Sequence, residues 1–474
     1  MSTTAVQSST SLRAGTQVPP RGHIGLIVLG AIASGLLLGL LLVLGVHADA
    51  PEHEILGSAL LALGAGFVLL AVGSSRFTDQ PQAWALRPDV AAAAVGLATW
   101  ALAPSDRALT LAGWVWPALL LALVVRSYRG ARYALHNWSR RALLYPSLLV
   151  LLLIAAGGVF QTVSAATSTN PAPDRSYLVN GHTLYLHCVG TGGPTVVLFN
   201  GLGERTPSWA WVQQSVSSTT RVCAFDRAGE GWSGAAPARQ DGHQLASDLH
   251  QLLRVARVPG PYVLAGHSVG GVYALVYAEQ YPHEVAGVAL IDSATPYQFD
   301  LPDYPGFYSM GRRLYSVMPV FAHAGIARLT AASEFGALPD AARRQARAFA
   351  SSPRELRADH GDFAELPTVF EQAKVLKSLK GKPLAVLTAS VGTQRGWVAA
   401  QKRLAKLSTN SAHQSVVGAT HAALLEDRGF ASTTSRAISD VVESAEVRTA
   451  LRTSEGPNSQ PGFLELGCAK MEQP

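Results

Sequence analysis

The segment YVLAGHSVGGVYALVYAEQY, residues 262–281, joins a short apolar run to a longer one with helical spacing. The predicted helix stops before Pro282, because proline disfavours a helical residue in front of it. Glycines around Ser268 let the chain turn sharply between strand and helix, which projects the serine hydroxyl above a sheet. The segment therefore predicts that Ser268 is a nucleophile. The alternative is a small residue in a tight turn, since a GxSxG pattern also arises by chance in a glycine-rich chain.

Short apolar runs recur around this segment at the spacing of an α/β domain. Two of them, SYLV and HTLYLHCVG, flank an Asn180-Gly181 turn and predict a hairpin. The others predict strands buried on both faces of a sheet: PTVVLF, TRVCAF, YVLAG, VALI, PLAVL and HQSVV. Segments of helical periodicity such as HQLASDLHQLLRVA separate them. This alternation predicts a mainly parallel sheet with helices on both sides.

The first third of the chain has a different character from the rest. The chain has 474 residues, of which 48% are hydrophobic, and long apolar runs crowd its beginning. This distribution favours a membrane part joined to one sizeable soluble domain. Much of the net charge of +6 lies in RSYRGARYALHNWSRR, residues 126–141, which is typical of a cytoplasmic membrane loop rather than of a nucleic-acid-binding surface.

The apolar runs predict five membrane-spanning helices, the strongest of which approach the ~20 residues that a bilayer requires. They cover residues 24–46, 55–72, 90–102, 109–125 and 143–163. Arg13 and Arg21 precede the first span, and residues 126–141 lie between the fourth and the fifth. The positive-inside rule places both basic regions in the cytoplasm, so an even number of crossings separates them. Five crossings then place everything after residue 163 outside the cytoplasmic membrane.

Two other interpretations of the apolar part are open. A cleaved signal peptide would use the Ala-Asp-Ala sequence at residues 48–50, but its apolar run is too long and further segments follow. A transporter would keep ionisable residues within its spans, and the predicted spans have none at their centres. The sequence therefore favours anchoring over transport.

The soluble part resembles the α/β-hydrolase family, and within it a bacterial subgroup, from about residue 176 to residue 447. The resemblance lies in the runs FNGLGE, CAFDRAGEGWSG, GPYVLAGHSVGG, YPHEVAGVALIDS and LSTNSAHQSVVGATH. It implies an α/β-hydrolase fold, with a mainly parallel eight-stranded sheet and a helical cap, and it does not cover the all-α five-helix membrane region in front of it. It also implies Ser268 as nucleophile, His421 as general base, and the backbone amides of Leu202 and Val269 as oxyanion hole. An ordinary histidine near a strand end is the alternative for His421.

The sequence assigns no chemical role to two further features. The run Asp-Arg-Ala-Gly at residues 226–229 resembles a structural loop of the family. His267 precedes Ser268 in sequence, so its side chain is expected to point away from the hydroxyl and to pack in the interior.

The carboxylate that would orient His421 is missing from its usual place in the family. The loop after the predicted strand PLAVL, residues 391–397 (VGTQRGW), has no Asp or Glu. Asp292 directly follows the preceding strand, and the carboxyl ends of neighbouring parallel strands open onto one crevice. The chain order Ser268, Asp292, His421 also fits the fold. We therefore predict Asp292 as the catalytic acid. A loop-capping Asp292, with a carboxylate of the cap segment as the acid, is the alternative.

An insertion at about residues 295–380 breaks the rhythm of strands and helices. It includes the segments ARLTAAS, LPDAARRQARAFA and PTVFEQAKVLKSL, which are predicted to be helical. In the family, such an insertion forms a cap over the active site. Its aromatic residues suit an acyl pocket or a core of the cap's own: Phe299, Tyr304, Phe307, Tyr308 and Phe321.

The cysteines bear on the location of the soluble domain. In the strand order of the family the second and fourth strands are neighbours, and Cys188 and Cys223 fall on these two. We predict a disulfide between them, which an extracytoplasmic domain would permit. Two small buried thiols are the alternative. Cys468 lies in the tail and has no evident role.

These patterns divide the chain into segments. They are a disordered tail (1–22), a transmembrane region (23–163), a linker (164–175), an α/β-hydrolase domain (176–450) and a second disordered tail (451–474). The topology places the N-terminus in the cytoplasm and the α/β domain beyond the cell membrane.

The predicted function is that of a membrane-anchored serine hydrolase of the carboxylesterase or lipase type. It would cleave a carboxylic ester, a thioester or an amide through an acyl-enzyme on Ser268. Acyl transfer, a catalytically silent sensor domain, and a working membrane region with a secondary outer domain are alternatives. No metal or organic cofactor is expected. The expected partners are a small acyl or lipid-like substrate and the lipid bilayer, without nucleic acid, and the oligomeric state is left open.

Overall fold

The computed structural model describes residues 23–47, 49–135, 141–168, 170–236 and 240–451. Most of the two predicted tails, with Arg13, Arg21 and Cys468, lies outside these ranges, as does Arg140 of the basic loop. The chain forms two compact units, one of Met1–His47 with His53–Ala156 and one of Ala48–Glu52 with Gly157–Pro474.

The first third of the described chain consists mainly of helices. They are α1 (Ile24–Leu40, continued by a π-helical stretch at Leu41–Val46), α2 (Glu52–Phe77), α3 (Leu86–Leu102), α4 (Asp106–Ala112), α5 (Trp116–Ala134) and α6 (Tyr145–Thr167). Within the first unit, glycines allow close contact between helices. A Cβ atom at Gly57 of α2 would lie 2.8 Å from the backbone oxygen of Gly96 in α3. Small residues at helix crossings are typical of membrane helices.

Within the described ranges, three of these helices are long and apolar enough to cross a bilayer: Ile24–Val46, Glu52–Phe77 and Tyr145–Thr167. They contain most of the first, second and fifth predicted spans. The predicted span 90–102 falls within the shorter α3, and the span 109–125 is not one helix. It is interrupted between Ala112 and Trp116, because Pro117 sits in the first turn of α5, where proline favours a new helix start. Five crossings therefore stay a prediction.

The second unit is built around an eight-stranded sheet of the order β1-β2-β4-β3-β5-β6-β7-β8. Its strands are β1 (Arg175–Val179), β2 (His182–Val189), β3 (Thr195–Phe199), β4 (Val222–Phe225), β5 (Tyr262–His267), β6 (Val285–Ile291), β7 (Leu384–Ala389) and β8 (Ser411–Val416). The hairpin β1–β2 is antiparallel, as predicted, and β2 runs antiparallel to β4. All pairings from β4 to β8 are parallel. This confirms the mainly parallel sheet.

Helices cover both faces of the sheet. In chain order they are α7 (Ala210–Val216), α8 (Gly242–Val255), α9 (Val269–Gln280), α10 (Tyr304–His323), α11 (Ile326–Ala331), α12 (Asp340–Ala350), α13 (Pro353–Ala373), α14 (Trp397–Ala405), α15 (Ala423–Glu426) and α16 (Arg428–Val447). β3 to β7 are almost wholly buried between two apolar layers, as their continuous apolar runs predict. β8 differs from the prediction, because it is an edge strand and leaves several side chains partly exposed.

The helices α10 to α13 lie in the predicted insertion between β6 and β7. Predicted helix starts and ends agree for α11 and α12 but not for α13. That helix begins at Pro353, well before the predicted start, and it contains Pro367 in its interior. Proline is tolerated in the first turn of a helix but disfavoured in its interior, so Pro367 predicts a helix start. Burial of one face of α13 in the core outweighs this preference, and the sequence alone misplaces the start of the helix.

Buried ion pairs attach α13 to the loops that follow β3 and β4. Arg205 donates to Glu355 (Nε–Oε2, 2.8 Å) and to Asp359 (Nη2–Oδ1, 2.7 Å). Arg227 donates to Asp362 (Nε–Oδ2, 2.9 Å) and to Glu230 (Nη2–Oε1, 2.8 Å). Arg205 and Glu355 are only 3% and 2% exposed, so solvent screens them little.

Replacing Arg205 by Met should destabilise the second unit. The change leaves two buried carboxylates of α13 without their partner, a loss that typically costs about 3–5 kcal/mol in free energy of unfolding. Urea denaturation of the purified protein, followed by tryptophan fluorescence, measures it. Arg395→Met is the matched control, because Arg395 pairs with Asp303 at the exposed surface and should change the midpoint little. Equal midpoints for the two variants would contradict the importance of the buried pairs.

A disulfide joins β2 to β4. Cys188 and Cys223 are direct partners in the antiparallel register, and their sulfur atoms are bonded. The bond closes a loop with a sequence separation of 35 residues. Cross-links of this kind act mainly on the unfolded chain and typically stabilise a domain by about 2–4 kcal/mol.

Purified under non-reducing conditions, a Cys468→Ser variant should contain no thiol that reacts with maleimide after denaturation. Reduction before denaturation should expose two, and it should lower the melting temperature of the second unit. A Cys188→Ala, Cys223→Ala, Cys468→Ser variant is the control for nonspecific labelling. Two reactive thiols in the non-reduced Cys468→Ser sample would contradict the disulfide.

Candidate active site

Ser268 occupies a sharp turn between β5 and α9, with φ 55° and ψ −129°. The turn needs glycine on both sides. A Cβ atom at Gly266 would lie 2.5 Å from the Cα atom of Gly271, and one at Gly270 would lie 2.2 Å from the backbone oxygen of Phe199. These distances leave no room for a side chain, so the glycines of GHSVGG are a steric requirement of the turn.

The backbone of Ser268 is tied to the end of β6 as well. Its N–H donates to the backbone oxygen of Ile291 (3.2 Å), and its carbonyl oxygen accepts from the N–H of Ala294 (2.9 Å) and of Gly271 (3.2 Å). These bonds offset the cost of an unusual backbone conformation, which is about 1–3 kcal/mol for a non-glycine residue. The serine is therefore held rigidly above the sheet.

The structure brings Asp292 and His421 together at this edge of the sheet. Asp292 directly follows β6, and His421 lies in the loop after β8. Asp292 Oδ2 is 2.6 Å from His421 Nδ1. Asp292 is buried, whereas the side chain of His421 is 47% exposed. A proton on Nδ1 that faces the carboxylate leaves Nε2 as the basic nitrogen of the ring.

The second oxygen of Asp292 is held by groups that belong to β7 and the loop after it. The N–H of Ala389 and the indole Nε1–H of Trp397 donate to Oδ1, at 3.1 and 2.7 Å. Burial alone would raise the pKa of Asp292, but the hydrogen bonds from His421 and Trp397 and the charge of His421 together lower it below the usual value. Trp397, at the end of the stretch that lacks a carboxylate, thus donates to the carboxylate that follows the neighbouring strand β6.

The proposed oxyanion donors lie in the turn after β3 and at the start of α9. A Cβ atom at Gly201 would be 3.0 Å from the Cβ atom of Ser268, so this turn passes directly over the serine. The Val269 amide opens α9, where amides of the first helical turn have no partner within the helix. The turn that carries Leu202 and the first residue of α9 thus both lie next to Ser268.

Arg227 fixes the orientation of the turn after β3. Its guanidinium donates to the backbone oxygens of Asn200 (Nη1, 2.7 Å) and Gly201 (Nη2, 3.2 Å). In a trans peptide the N–H points opposite to the C=O, so the Leu202 N–H points away from Arg227. The arginine of the loop at residues 226–229 thus orients this peptide, which is a structural role and not a chemical one.

Two further residues were missed or underrated by the sequence analysis. Glu204 of FNGLGE was given no role, yet its carboxylate contacts the Gly201 N–H (2.5 Å) and His267 Nδ1 (2.5 Å). His267 is fully buried, as expected, but it does more than pack. Its Nε2 lies 3.0 Å from the backbone oxygen of His421. The sequence does contain a signal for Glu204, because this carboxylate lies next to the predicted oxyanion turn.

The aromatic residues of the insertion differ in their burial. Tyr304 and Tyr308 are buried and pack with Phe299, with ring centroids 5.1 Å apart in both pairs. Phe307 and Phe321 are 53% and 45% exposed. Tyr304 and Tyr308 belong to the apolar layer that also includes residues of β3, β5 and α9, so they pack with the main core of the second unit. Asp427, close to His421 in sequence, is instead the N-cap of α16 and accepts from the N–H groups of Gly429 and Phe430.

Comparisons with known proteins agree with this architecture. A family model described as alpha/beta hydrolase fold matches residues 194–341. An uncharacterized protein of Bacillus subtilis is 30% identical over 122 residues, which are 26% of this chain and 48% of that protein. An uncharacterized protein of Schizosaccharomyces pombe is 30% identical over 227 residues, 46% of this chain and 41% of that one. This chain thus spans less than half the length of these curated relatives.

Among solved structures, the Cif epoxide hydrolase from Acinetobacter nosocomialis has a TM-score of 0.50 and 15% identity. The similarity covers 61% of this chain and 96% of that structure. At this identity the similarity concerns the fold alone. With the matched family model and the parallel eight-stranded sheet, it confirms that the second unit of this chain has an α/β-hydrolase fold.

Proposed function

We propose that the chain is a serine hydrolase that cleaves a carboxylic ester, a thioester or an amide through an acyl-enzyme on Ser268. The observation that carries the proposal is the 2.6 Å contact between His421 and Asp292 beside the strained turn at Ser268. An orienting carboxylate on one ring nitrogen, with the other nitrogen free to act as a base, is the arrangement that activates a serine hydroxyl.

In the proposed mechanism, His421 Nε2 takes the proton of Ser268 as its oxygen attacks the acyl carbonyl. The negative charge on the tetrahedral intermediate is bound by the N–H groups of Leu202 and Val269. His421 then gives its proton to the leaving alcohol, thiol or amine. Water, deprotonated by His421, attacks the acyl-enzyme and releases the carboxylic acid. Asp292 stays ionised throughout and stabilises the imidazolium.

Two alternatives to hydrolysis retain the same residues. An acceptor other than water would turn the acyl-enzyme into an acyltransferase intermediate, since both reactions share the first half. A catalytically silent domain would use the fold to bind a ligand. The well-supported Asp292 argues against the silent domain, because a binding site has no need of a low-pKa carboxylate hydrogen-bonded to a histidine. An aspartate nucleophile would have favoured epoxide chemistry, and the serine at position 268 argues against it.

We further propose that the apolar helices anchor this unit to the cell membrane, with the N-terminus in the cytoplasm and the unit on the other side. Three membrane spans and five membrane spans both give this orientation. Three crossings put the basic residues Arg126, Arg129 and Arg132 after two spans, and five crossings put them after four. In both cases they lie on the side of the N-terminus, as the positive-inside rule requires.

A fluorophosphonate probe should label the purified full-length protein, and Ser268→Ala should abolish the labelling. The probe reacts only with a serine whose hydroxyl is activated by a base. Ser218→Ala is the matched control, because Ser218 is an exposed serine after α7 whose hydroxyl donates to the backbone oxygen of Ser215, and it should leave labelling unchanged. A folded wild-type protein that resists the probe would favour the silent domain. A panel of p-nitrophenyl esters of increasing acyl length then defines the substrate class.

Asp292→Asn should keep the fold and lower turnover by about 10³–10⁴-fold. The amide can still accept from Ala389 and Trp397, but its NH₂ group then faces His421 Nδ1 and favours the tautomer that cannot accept the serine proton. Steady-state kinetics on the best ester of the panel measures the loss. Asp427→Asn is the control, since asparagine also caps helices and this carboxylate has no place in the mechanism. Equal turnover rates for the wild type and Asp292→Asn would reject Asp292 as the catalytic acid and favour a carboxylate of the cap segment.

A further inference from the structure

A second buried acid–histidine pair lies directly behind the residues of the proposed mechanism. Glu204 Oε1 is 2.5 Å from His267 Nδ1, and His267 Nε2 is 3.0 Å from the backbone oxygen of His421. The side chain of His267 is fully buried. Its ring lies beside that of His421, with centroids 4.3 Å apart and planes inclined by 35°. The pair therefore contacts the loop that carries the proposed base.

The partners of His267 determine its protonation. A carboxylate oxygen and a backbone carbonyl oxygen can only accept hydrogen bonds, so both ring nitrogens must donate. An imidazole with two N–H groups is a cation, which the carboxylate of Glu204 neutralises. Burial would lower the pKa of His267, but the charge and hydrogen bond of Glu204 raise it above the usual value. Burial would raise the pKa of Glu204, but His267 and the Gly201 amide lower it.

This ion pair connects three separate loops. The other oxygen of Glu204 accepts from the N–H of Gly201, in the turn that carries the Leu202 amide. His267 is the last residue of β5 and immediately precedes Ser268. Its Nε2–H reaches the backbone of the His421 loop. One buried pair thus links the proposed oxyanion turn, the proposed nucleophile and the proposed base.

We propose that Glu204 and His267 are positioning residues that keep these three loops in register for attack on the acyl carbonyl. The inference rests on the proposed serine-hydrolase function and deepens it. The proposed mechanism assigns neither side chain a contact with the substrate, so the pair acts through the geometry of Leu202, Ser268 and His421. Displacing reacting groups by about 1 Å typically costs around 10²-fold in rate. A pair with a purely structural role would instead affect the amount of folded protein.

Three variants of the full-length protein separate hydrogen bonding from charge. His267→Phe and Glu204→Ala remove the link. Glu204→Gln retains it, because the amide oxygen can accept from Gly201 while the amide nitrogen donates to a neutral His267 Nδ1. The Nε2–H of His267 continues to donate to His421. Glu204→Gln is therefore the conservative variant that should rescue function without the ion pair.

His182→Phe provides the matched control. Its Nε2 lies 3.3 Å from Asp248 Oδ2, and both side chains are buried, so it too removes a buried acid–histidine pair. His182 lies on β2, and β4 and β3 separate that strand from β5 in the sheet. This variant should lower stability without altering the chemistry of the folded protein.

The rate of fluorophosphonate labelling, normalised to the folded fraction, is the primary measurement. We expect His267→Phe and Glu204→Ala to label about 10- to 100-fold more slowly than the wild type, Glu204→Gln within about threefold, and His182→Phe at the wild-type rate. With an ester substrate, kcat should fall in the first two variants while KM changes little. Wild-type rates in His267→Phe and Glu204→Ala would overturn the proposal. Equal losses in Glu204→Gln and Glu204→Ala would also overturn it, since hydrogen bonding would then not be what positions the loops.

The experiment distinguishes this inference from the proposed function itself. If the wild type is not labelled, the serine-hydrolase proposal fails and the positioning role fails with it. If the wild type and all four variants are labelled equally, the hydrolase proposal stands and only the positioning role is rejected.

Discussion

The backbone of Ser268, at φ 55° and ψ −129°, is the constraint on which the rest of the site depends. A non-glycine residue adopts this conformation only when its surroundings compensate for the strain. Here the compensation comes from hydrogen bonds to the end of β6 and from glycines that let β3, β5 and α9 approach. Once the turn is formed, the hydroxyl projects from the carboxyl edge of the sheet. Every other residue of the proposed mechanism must then reach this one point.

The parallel strands explain why Asp292 can replace an acid after β7. β6 and β7 are parallel neighbours with Ile291 opposite Leu387, so both strands end at the same edge of the sheet, above the same crevice. A carboxylate at the end of β6 therefore reaches the His421 loop as well as one from β7 would. Residues 391–397 contain neither Asp nor Glu, and they contribute to the site in another way. Trp397, the last residue of this stretch and the first of α14, donates through its indole to Asp292, the carboxylate proposed for the role.

Much of the fold follows from the sequence, because its signals are local. Continuous apolar runs predict the buried strands, and the sharp turn of GHSVGG predicts Ser268. The predictions fail where contacts between residues that are distant in sequence determine the structure. A proline at position 367 predicts a helix start, but packing of α13 keeps it within a longer helix. The predicted span 109–125 is interrupted for a local reason instead, because Pro117 lies in the first turn of a new helix.

The site could be predicted in part for the same reason. Ser268, Asp292 and His421 each follow a recognisable strand, and strand order alone brings them to one edge. Glu204 and Arg227 lie in loops whose side-chain directions depend on the folded positions of their partners. Glu204 needs His267 as a partner before it can be interpreted, and no spacing in the sequence relates the two residues. Arg227 orients two carbonyl groups that have no sequence signature at all.

Two adjacent charged residues in the turn after β3 contact partners in different parts of the fold. Glu204 contacts His267 beside the serine, whereas Arg205 contacts Glu355 and Asp359 of α13. The first contact joins a fully buried His267 to a Glu204 side chain that is 17% exposed, and the second set is buried throughout. Breaking either one leaves a buried charge without its partner. The turn that carries the Leu202 amide is thus fixed from below by the sheet and from above by the cap region. This arrangement favours an oxyanion site whose donors are already oriented before substrate binds, which is what electrostatic stabilisation of a transition state requires.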